Sequence, residues 1–350
     1  MAKRPHRAPL PLLSATLLGL FTMTACGDGA ATDEATTDTS SETGDTDTGD
    51  GTDTDTDAAQ CVAQLELPGD AFYPEGTAWT ASGELFVASL ATGEVVVAKD
   101  PCTGEVERWI APGEGLRNPV GMLVDDARGL LLVCDSNFGF DTPPEIDVFD
   151  LASAEQLASH AFASVGFCND LALDDAGNVY ATDSTGARVV RVGADALTSD
   201  DSPAQDWAAD PGFVVAEGEF GPNGIVYDDA GRLYVGNYAR GTLYSVEIAA
   251  DGEAGAIEAV ALGAALAGPD GMKWDGERLL LVEGGKGALS SLDLSGDAPS
   301  ATVLRDGFAY PTTFATFGAR AWVAEGQLDH FLGVDAAPPE LPFVLTRVDL

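Results

Sequence analysis

The sequence predicts an all-β fold: a six-bladed β-propeller closed by an N-terminal strand, after a signal peptide and a disordered acidic tether. A unit of roughly 45 residues recurs six times after residue 61. Within each unit, short apolar strands alternate with Asp- and Gly-rich turns, and no long helical period interrupts them. The last unit lacks a fourth strand, which a segment before the first unit can supply. A two-sheet sandwich is the rival fold, but it does not require a strand register that repeats in every unit.

Residues 1–25 have the features of a secretory signal. Three basic residues precede an apolar run over residues 10–21, which is too short for a permanent transmembrane helix. Cys26 follows a small residue, as in the lipobox of bacterial lipoproteins, so we expect Cys26 to become the lipidated first residue of the mature chain. Gly27 comes next, and by resemblance to Gram-negative sorting rules this predicts an outer-membrane lipoprotein facing the periplasm or the cell exterior. An ordinary cleaved signal with a stray cysteine is the alternative.

Residues 26–60 are predicted to be a disordered tether. They contain eleven acidic residues and no basic one, in runs such as "DTDTGDGTDTDTD", so the segment repels itself and has nothing to bury. The formal charge of the chain is −40; the signal carries +3 and the tether −11, which leaves −32 on residues 61–350. So acidic a domain disfavours nucleic acid and anionic membranes and attracts cations. We therefore expect contact with a membrane only through the lipid on Cys26.

Each unit of residues 61–350 opens with a short motif that predicts a turn: YPEG, NPVG, FCND, GPNG, GPDG and YPTT, in that order. The third residues of successive motifs are 45, 49, 54, 47 and 42 positions apart. Each motif leads into a strand, a tight turn such as "DDAGR" and a second, more apolar strand such as "RLYVGNY". A third strand and a weaker fourth follow. Units of this size and strand content are best packed radially, as the blades of a propeller.

The two ends of the domain are predicted to meet in the sixth blade. The last unit ends with "FVLTRVDL", which matches the third strands of the other units. Its missing fourth strand is supplied by "VAQLEL" at 62–67, so the N-terminal segment closes the ring. Residues 327–343 remain as an insertion in the sixth blade.

The third residue of each opening motif is expected to point toward the central axis, because the innermost strand of each blade begins at one mouth of the tunnel. We call these six residues the inner ring: Glu75, Val120, Asn169, Asn223, Asp270 and Thr312. Four of them, here called the quartet, carry carboxylate or amide oxygens: Glu75, Asn169, Asn223 and Asp270. Oxygen ligands alone favour a hard divalent cation, Ca²⁺ before Mg²⁺. A tunnel whose polar residues only satisfy water is the alternative.

The motifs YPEGTAW, CNDLALD, GPNGIVYDDAGRLYVGN and GPDGMKWD resemble the senescence-marker-protein (regucalcin)/gluconolactonase family of six-bladed propellers. More distantly they are similar to paraoxonases and diisopropylfluorophosphatase, and the resemblance covers about residues 73–326. The family cleaves lactones, esters or phosphotriesters, so the resemblance implies that the quartet holds one catalytic Ca²⁺ and that the substrate is a small molecule, a lactone or ester first. It also implies that Asp270, which faces the pocket in the family, is the catalytic general base.

The resemblance has one departure in the sixth blade. Paraoxonase-like members place a histidine at the end of that blade's second strand, where this chain has Gly326. His330 lies four residues later, inside the insertion. It is interpreted either as a lid residue or proton carrier over the mouth, or as an ordinary histidine of a surface loop.

Polar residues also end the second strands at the same mouth. Those expected to shape a substrate pocket are Ser136, Asp183, Asn237 and Glu283. The alternative is that each bonds nearby backbone at the end of its strand.

The four cysteines after Cys26 predict two disulfides in an exported chain. Cys134 ends a second strand and Cys168 begins the next blade's first strand, so the two are predicted to pair. Cys61 precedes the closing strand and Cys102 lies in an outer turn of the adjacent blade, so this pair is predicted to pin the ring closure.

The sequence thus predicts a calcium-dependent hydrolase of lactones or related esters. A propeller that binds a ligand or a protein without catalysis, with a structural calcium, is the alternative, because fold alone does not decide function.

Overall fold

A computed structural model describes residues 61–199 and 202–350. Its strands form six four-stranded antiparallel sheets, which confirms the six-bladed propeller. The signal at 1–25, the lipidation residue Cys26 and the tether at 26–60 lie outside the described residues. No helix in the described ranges is long and apolar enough to cross a membrane.

The strands follow one another blade by blade. The closing strand and the first three blades are β1 (Gln64–Glu66); β2 (Pro74–Trp79), β3 (Leu85–Ser89), β4 (Val95–Ala98), β5 (Glu107–Ile110); β6 (Asn118–Asp125), β7 (Leu130–Ser136), β8 (Glu145–Asp150), β9 (Gln156–Ala161); β10 (Cys168–Leu173), β11 (Val179–Asp183), β12 (Arg188–Val192), β13 (Gln205–Ala209). The other three blades are β14 (Pro222–Tyr227), β15 (Arg232–Asn237), β16 (Thr242–Ile248), β17 (Ala254–Ala259); β18 (Pro269–Trp274), β19 (Leu279–Glu283), β20 (Ala288–Leu292), β21 (Thr302–Asp306); β22 (Pro311–Phe317), β23 (Arg320–Glu325), β24 (Val344–Asp349). A short helix, α1 (Leu328–Phe331), begins the insertion of the sixth blade.

The ring closes as the sequence predicts. The innermost strands contact one another in the order β2, β6, β10, β14, β18, β22 and back to β2. The sixth blade has the strand order β1-β24-β23-β22, with Gln64 opposite Thr346 and Glu66 opposite Val344. Leu65 of β1 is fully buried in a core cluster that also holds Trp322 and Phe343. The first and last strands of the domain therefore belong to one sheet.

The hydrophobic core lies between neighbouring blades. Phe86 and Val97 of the first blade, for example, share one buried cluster with Met122 and Leu131 of the second. Burying a side chain of this size stabilises the fold by about 1.5–3 kcal/mol. Because such clusters join adjacent blades around the ring, the inner mouth of the tunnel is held by the packing of the blades.

Both predicted disulfides are present, Cys61–Cys102 and Cys134–Cys168. The first joins the segment before β1 to the outer turn between β4 and β5. The Val62 amide also donates to the Cys102 carbonyl at 3.1 Å. The closing strand is therefore fastened to the first blade as well as to the sixth.

We predict that the double substitution Cys61→Ala and Cys102→Ala lowers the free energy of unfolding by about 2–4 kcal/mol, because it frees a long loop in the unfolded chain. Urea denaturation measures this. Hydrogen exchange at Leu65 should also accelerate in this variant and stay slow in the matched pair Cys134→Ala and Cys168→Ala. Equal protection of Leu65 in both variants would contradict a role in ring closure.

Asp147 of β8 is a buried carboxylate in an acidic setting. Burial raises the pKa of Asp147 to about 7, and Asp135 and Glu145 add to the rise. Arg117 forms salt bridges with Asp135 at 2.8 Å and with Glu145 at 2.9 Å. Its positive charge partly offsets the negative charges around Asp147. The folded state thus favours protonated Asp147. The stability that the protonated side chain contributes is lost as the pH rises from about 4, the pKa in the unfolded chain, to about 7, the pKa in the folded protein.

We predict that Asp147→Asn, which imitates the protonated acid, raises the free energy of unfolding at pH 8 by roughly 1–4 kcal/mol and changes it little at pH 4. Asp150→Asn in the same strand is the control. Bonds from Ser153 and Ala152 lower the pKa of Asp150, so its loss brings no such gain. An effect of Asp147→Asn that is independent of pH would refute the linkage.

Candidate metal centre

Every inner-ring residue lies at a β-bulge. In each blade the register between the first and second strands shifts around this residue, as between Pro74 and Thr77 in the first blade and between Pro222 and Ile225 in the fourth. A bulge frees one residue from the ladder and re-aims its side chain. The motifs predict a turn before the strand, but these residues belong to the strand itself, and the bulge turns them toward the axis.

Glycine follows the inner-ring residue in four of the six motifs, and the reason is close approach between blades. A Cβ at Gly76 would lie 2.0 Å from the Val120 carbonyl oxygen of the next blade. A Cβ at Gly224 would lie 2.1 Å from the carbonyl oxygen of Asp270. The missing side chains let neighbouring inner strands pack tightly enough for the inner-ring side chains to meet.

The structure brings the whole quartet to the lining of one cavity. Glu75, Asn169, Asn223 and Asp270 are each 4–6 % exposed. Val120 lines the same cavity, whereas Thr312 is fully buried and its hydroxyl donates to the Pro74 carbonyl at 3.1 Å. The four side chains come from blades one, three, four and five.

The quartet is electrostatically unsatisfied. Burial raises the pKa of Glu75 well above its usual value, and the charges of Asp270 and Asp170 raise it further. Burial and the charge of Asp170 likewise raise the pKa of Asp270, which the Asn223 amide partly opposes. Oδ1 of Asn223 is buried and has no hydrogen-bond partner in the described part of the chain.

Asp170 is a site residue that the sequence analysis missed. It occupies the position that is glycine in four of the other motifs, and it is 5 % exposed. Its carboxylate accepts hydrogen bonds from the Leu171 amide at 2.9 Å and the Ile225 amide at 3.4 Å. The break in the glycine pattern was the available signal. Asp170 does not line the cavity, but its charge acts on Glu75 and Asp270, so three buried carboxylates interact here instead of two.

These features fit a hard divalent cation. The donors are carboxylate and amide oxygens, which suit Ca²⁺ and Mg²⁺ and do not favour zinc or copper. A cation would relieve the repulsion among the buried carboxylates, and it would give the unpartnered Oδ1 of Asn223 a partner. A tunnel that only holds water explains the amides but leaves the carboxylate charges opposed.

The second-strand ends do not line the cavity, in contrast to the expectation that they shape a pocket. The Ser136 hydroxyl donates to the Cys168 carbonyl, and the Asn237 amide donates to the carbonyls of Gly212 and Phe213. The Asp183 carboxylate accepts from the Phe167 amide at 2.9 Å, and the Glu283 carboxylate accepts from the Ala267 amide at 2.9 Å. These contacts match the alternative, in which each residue bonds nearby backbone. Asp183, Asn237 and Glu283 fasten the loop that enters the first strand of their own blade, and Ser136 bonds the first strand of the next blade. A buried polar group needs such a partner.

The walls above the quartet are apolar. Phenylalanines from three blades and residues of the insertion surround the opening: Leu90, Phe138, Phe167, Phe220, Leu328 and Phe331. Tyr238 and Tyr310 line the cavity as well, and their hydroxyls are 2.7 Å apart. The cavity volume is about 80 Å³, so the walls close tightly over the quartet. Phe167 and Tyr310 are the first residues of the motifs FCND and YPTT, whereas Phe138, Leu328 and Phe331 lie outside the motifs that repeat.

The insertion covers part of the mouth through α1. Leu328, Phe331 and Leu332 line the cavity, whereas Nδ1 of His330 lies 2.9 Å from the Ala337 carbonyl oxygen within the insertion. His330 thus braces the lid instead of facing the site. At Gly326 a Cβ would lie 2.4 Å from Cγ2 of Thr312, so a histidine does not fit there without rearrangement.

Comparison with known proteins supports the fold. No family model matches the sequence, and no curated protein matches it. A gluconolactonase from Xanthomonas campestris superposes with a TM-score of 0.58 at 18% identity, over 82% of this chain and 92% of that one. A calcium-binding protein, regucalcin, from Agrobacterium tumefaciens gives a TM-score of 0.56 at 17% identity, over 82% and 93%.

A virginiamycin B lyase from Staphylococcus aureus is similar too, with a TM-score of 0.54 at 11% identity over 82% of this chain and 98% of the lyase. Proteins of unlike chemistry therefore share this fold. At such identities the likeness shows the propeller alone, and function has to be argued from the site.

We predict that Glu75→Gln raises the melting temperature of the ion-free protein at pH 8, because it removes one of the opposed buried charges. The same change should weaken binding of Ca²⁺ by roughly tenfold or more, the scale found even for residues that only support a metal ligand. Thermal unfolding and calorimetry, each after chelation, measure the two effects. The prediction requires the melting temperature of the ion-free protein to rise while the calcium affinity falls. If the ion-free variant is less stable and its calcium affinity is unchanged, Glu75 is not a ligand.

Proposed function

We propose that this protein is a calcium-dependent hydrolase of lactones or related esters. The observation that carries the proposal is the position of the quartet, whose buried and mutually repelling carboxylates form the floor of an otherwise apolar cavity. The likeness in fold to a gluconolactonase and to a calcium-binding regucalcin is consistent with it.

Glu75, Asn169, Asn223 and Asp270 are the residues that would hold the ion. When bound, Ca²⁺ supplies a positive charge that polarises the substrate carbonyl and stabilises negative charge on its oxygen. The chain's own contribution is to hold these oxygens fixed on bulged inner strands and to exclude bulk water with the apolar walls.

Asp270 is the proposed general base. It lies in the cavity floor beside Asn223 and is nearly fully buried. A water oxygen forms the new bond to the carbonyl carbon while its proton passes to the Asp270 carboxylate. The acyl C–O bond then breaks, and the proton passes on to the departing oxygen, which leaves a hydroxy acid or an acid and an alcohol.

The cellular setting is part of the proposal. Lipid attached to Cys26 would anchor the chain in the outer membrane, with residues 26–60 as the tether to the propeller. The formal charge of −32 on residues 61–350 disfavours a nucleic-acid partner and leaves a small molecule as the expected ligand.

The proposal is tested by hydrolysis of a panel of lactones and aryl esters by the purified protein, with Ca²⁺ and with a chelator. We predict that chelation abolishes turnover and that Asp270→Asn lowers kcat by about 10²–10⁴-fold, the usual contribution of a general base. Asp293→Asn, at an exposed position of the same blade, is the matched control and should leave kcat unchanged.

Full activity in chelator, or an Asp270→Asn variant with normal activity and calcium affinity, would overturn the proposal. Tight calcium binding without turnover of any panel member would instead favour a ligand-binding propeller that the ion only stabilises.

A further inference from the structure

The walls of the cavity carry almost no hydrogen-bonding capacity. Above the quartet, the lining residues of the described chain include no charged side chain, and the two tyrosine hydroxyls are the only polar side-chain groups. A ligand that reaches the quartet therefore places the rest of its body against hydrocarbon.

Aromatic rings form a continuous chain around this space. Phe220 contacts Phe167 with ring centroids 5.0 Å apart, Phe167 contacts Phe138 at 5.1 Å, and Phe138 contacts Phe331 of the lid at 5.3 Å. All three pairs are edge-to-face or close to it, with interplanar angles of 67–75°. Such packing fixes the rings as the walls of an apolar slot.

The tyrosine pair limits the polar capacity further. The hydroxyls of Tyr238 and Tyr310 bond each other at 2.7 Å and have no other hydrogen-bond partner among the described residues. Two hydroxyls that share one hydrogen bond keep one hydrogen to donate elsewhere. Tyr310 is held there by a left-handed backbone (φ 50°), a strained conformation that marks a constrained position. The walls thus offer a single spare donor.

We infer that the substrate is a predominantly apolar lactone or ester, with an alkyl or aryl body and one ester group, and not a polyhydroxylated sugar lactone. This inference rests on the proposed function and names the substrate class of the same site. An apolar body gains burial against the four phenylalanines, and one ester oxygen can accept the spare tyrosine hydrogen. Each sugar hydroxyl beyond that would lose its water and find no partner, which is costly.

The test compares two lactones with the same six-membered ring, δ-decanolactone with its alkyl tail and D-glucono-δ-lactone with its hydroxyls, using the full-length protein with Ca²⁺. We expect kcat/KM to be at least about 100-fold higher for δ-decanolactone, because unpartnered polar groups are rejected more strongly than missing methylenes. Phe138→Ala and Phe331→Ala should each lower kcat/KM for δ-decanolactone by about 10-fold or more and leave the sugar lactone unaffected.

Phe317→Ala is the matched control. Phe317 is 46% exposed and stacks on Trp79 outside the cavity, so its loss removes an aromatic ring without touching the walls. Circular dichroism of each variant checks that the propeller is intact.

A second readout separates this inference from the proposed function: fluorescence binding of the apolar probe N-phenyl-1-naphthylamine. A sugar lactone turned over as well as δ-decanolactone would overturn the inference and leave the hydrolase standing. Absence of turnover, with probe binding weakened by Phe331→Ala and not by Phe317→Ala, would overturn the hydrolase and support the apolar site. Neither turnover nor probe binding would overturn both.

Discussion

Repulsion among buried carboxylates is the constraint on which the rest of the structure depends. Glu75, Asp170 and Asp270 are all buried on inner strands, and the charges of Asp170 and Asp270 help to raise the pKa of Glu75. A fold does not gain stability from such an arrangement, because Glu75 and Asp270 lose water and meet like charges, and only Asp170 has an opposing cation, Lys273. The packing between six blades holds the groups in place, and the proposed cation would turn this cost into binding free energy.

Two local devices convert the repeated sequence into that geometry. Bulges at the start of the inner strands turn the inner-ring side chains out of the ladder, and glycines such as Gly224 let the next blade approach within van der Waals distance of the backbone. Polar residues at the ends of second strands then fasten the loops that lead into the bulged first strands, as Asp183 does for Phe167 in its own blade. Phe167, one of the apolar wall residues, lies in such a loop, so the repeat that places the cavity floor also places part of the wall.

The periodicity of the sequence predicted the repeated features of the fold, but it did not predict the bulges or the wall residues that lie outside the repeat. The blade count, the closing strand at 62–67 and both disulfides followed from strand spacing and ring order. The motifs at the bulges predict turns instead, because a register shift between two strands leaves no trace in the pattern of one strand. Phe138 comes from a loop and Phe331 from α1, and both lie outside the repeat. The four polar residues at the strand ends bond nearby backbone, which polarity alone does not reveal, because it does not tell which way a side chain faces.

The central claim is that four oxygen-bearing side chains from distant blades cage one hard ion. Diffraction from crystals grown in calcium chloride, with anomalous differences to locate the metal, tests it most directly. The account predicts a single peak within about 2.3–2.6 Å of oxygens of Glu75, Asn169, Asn223 and Asp270. Density for water alone among these side chains, at saturating calcium, would contradict it.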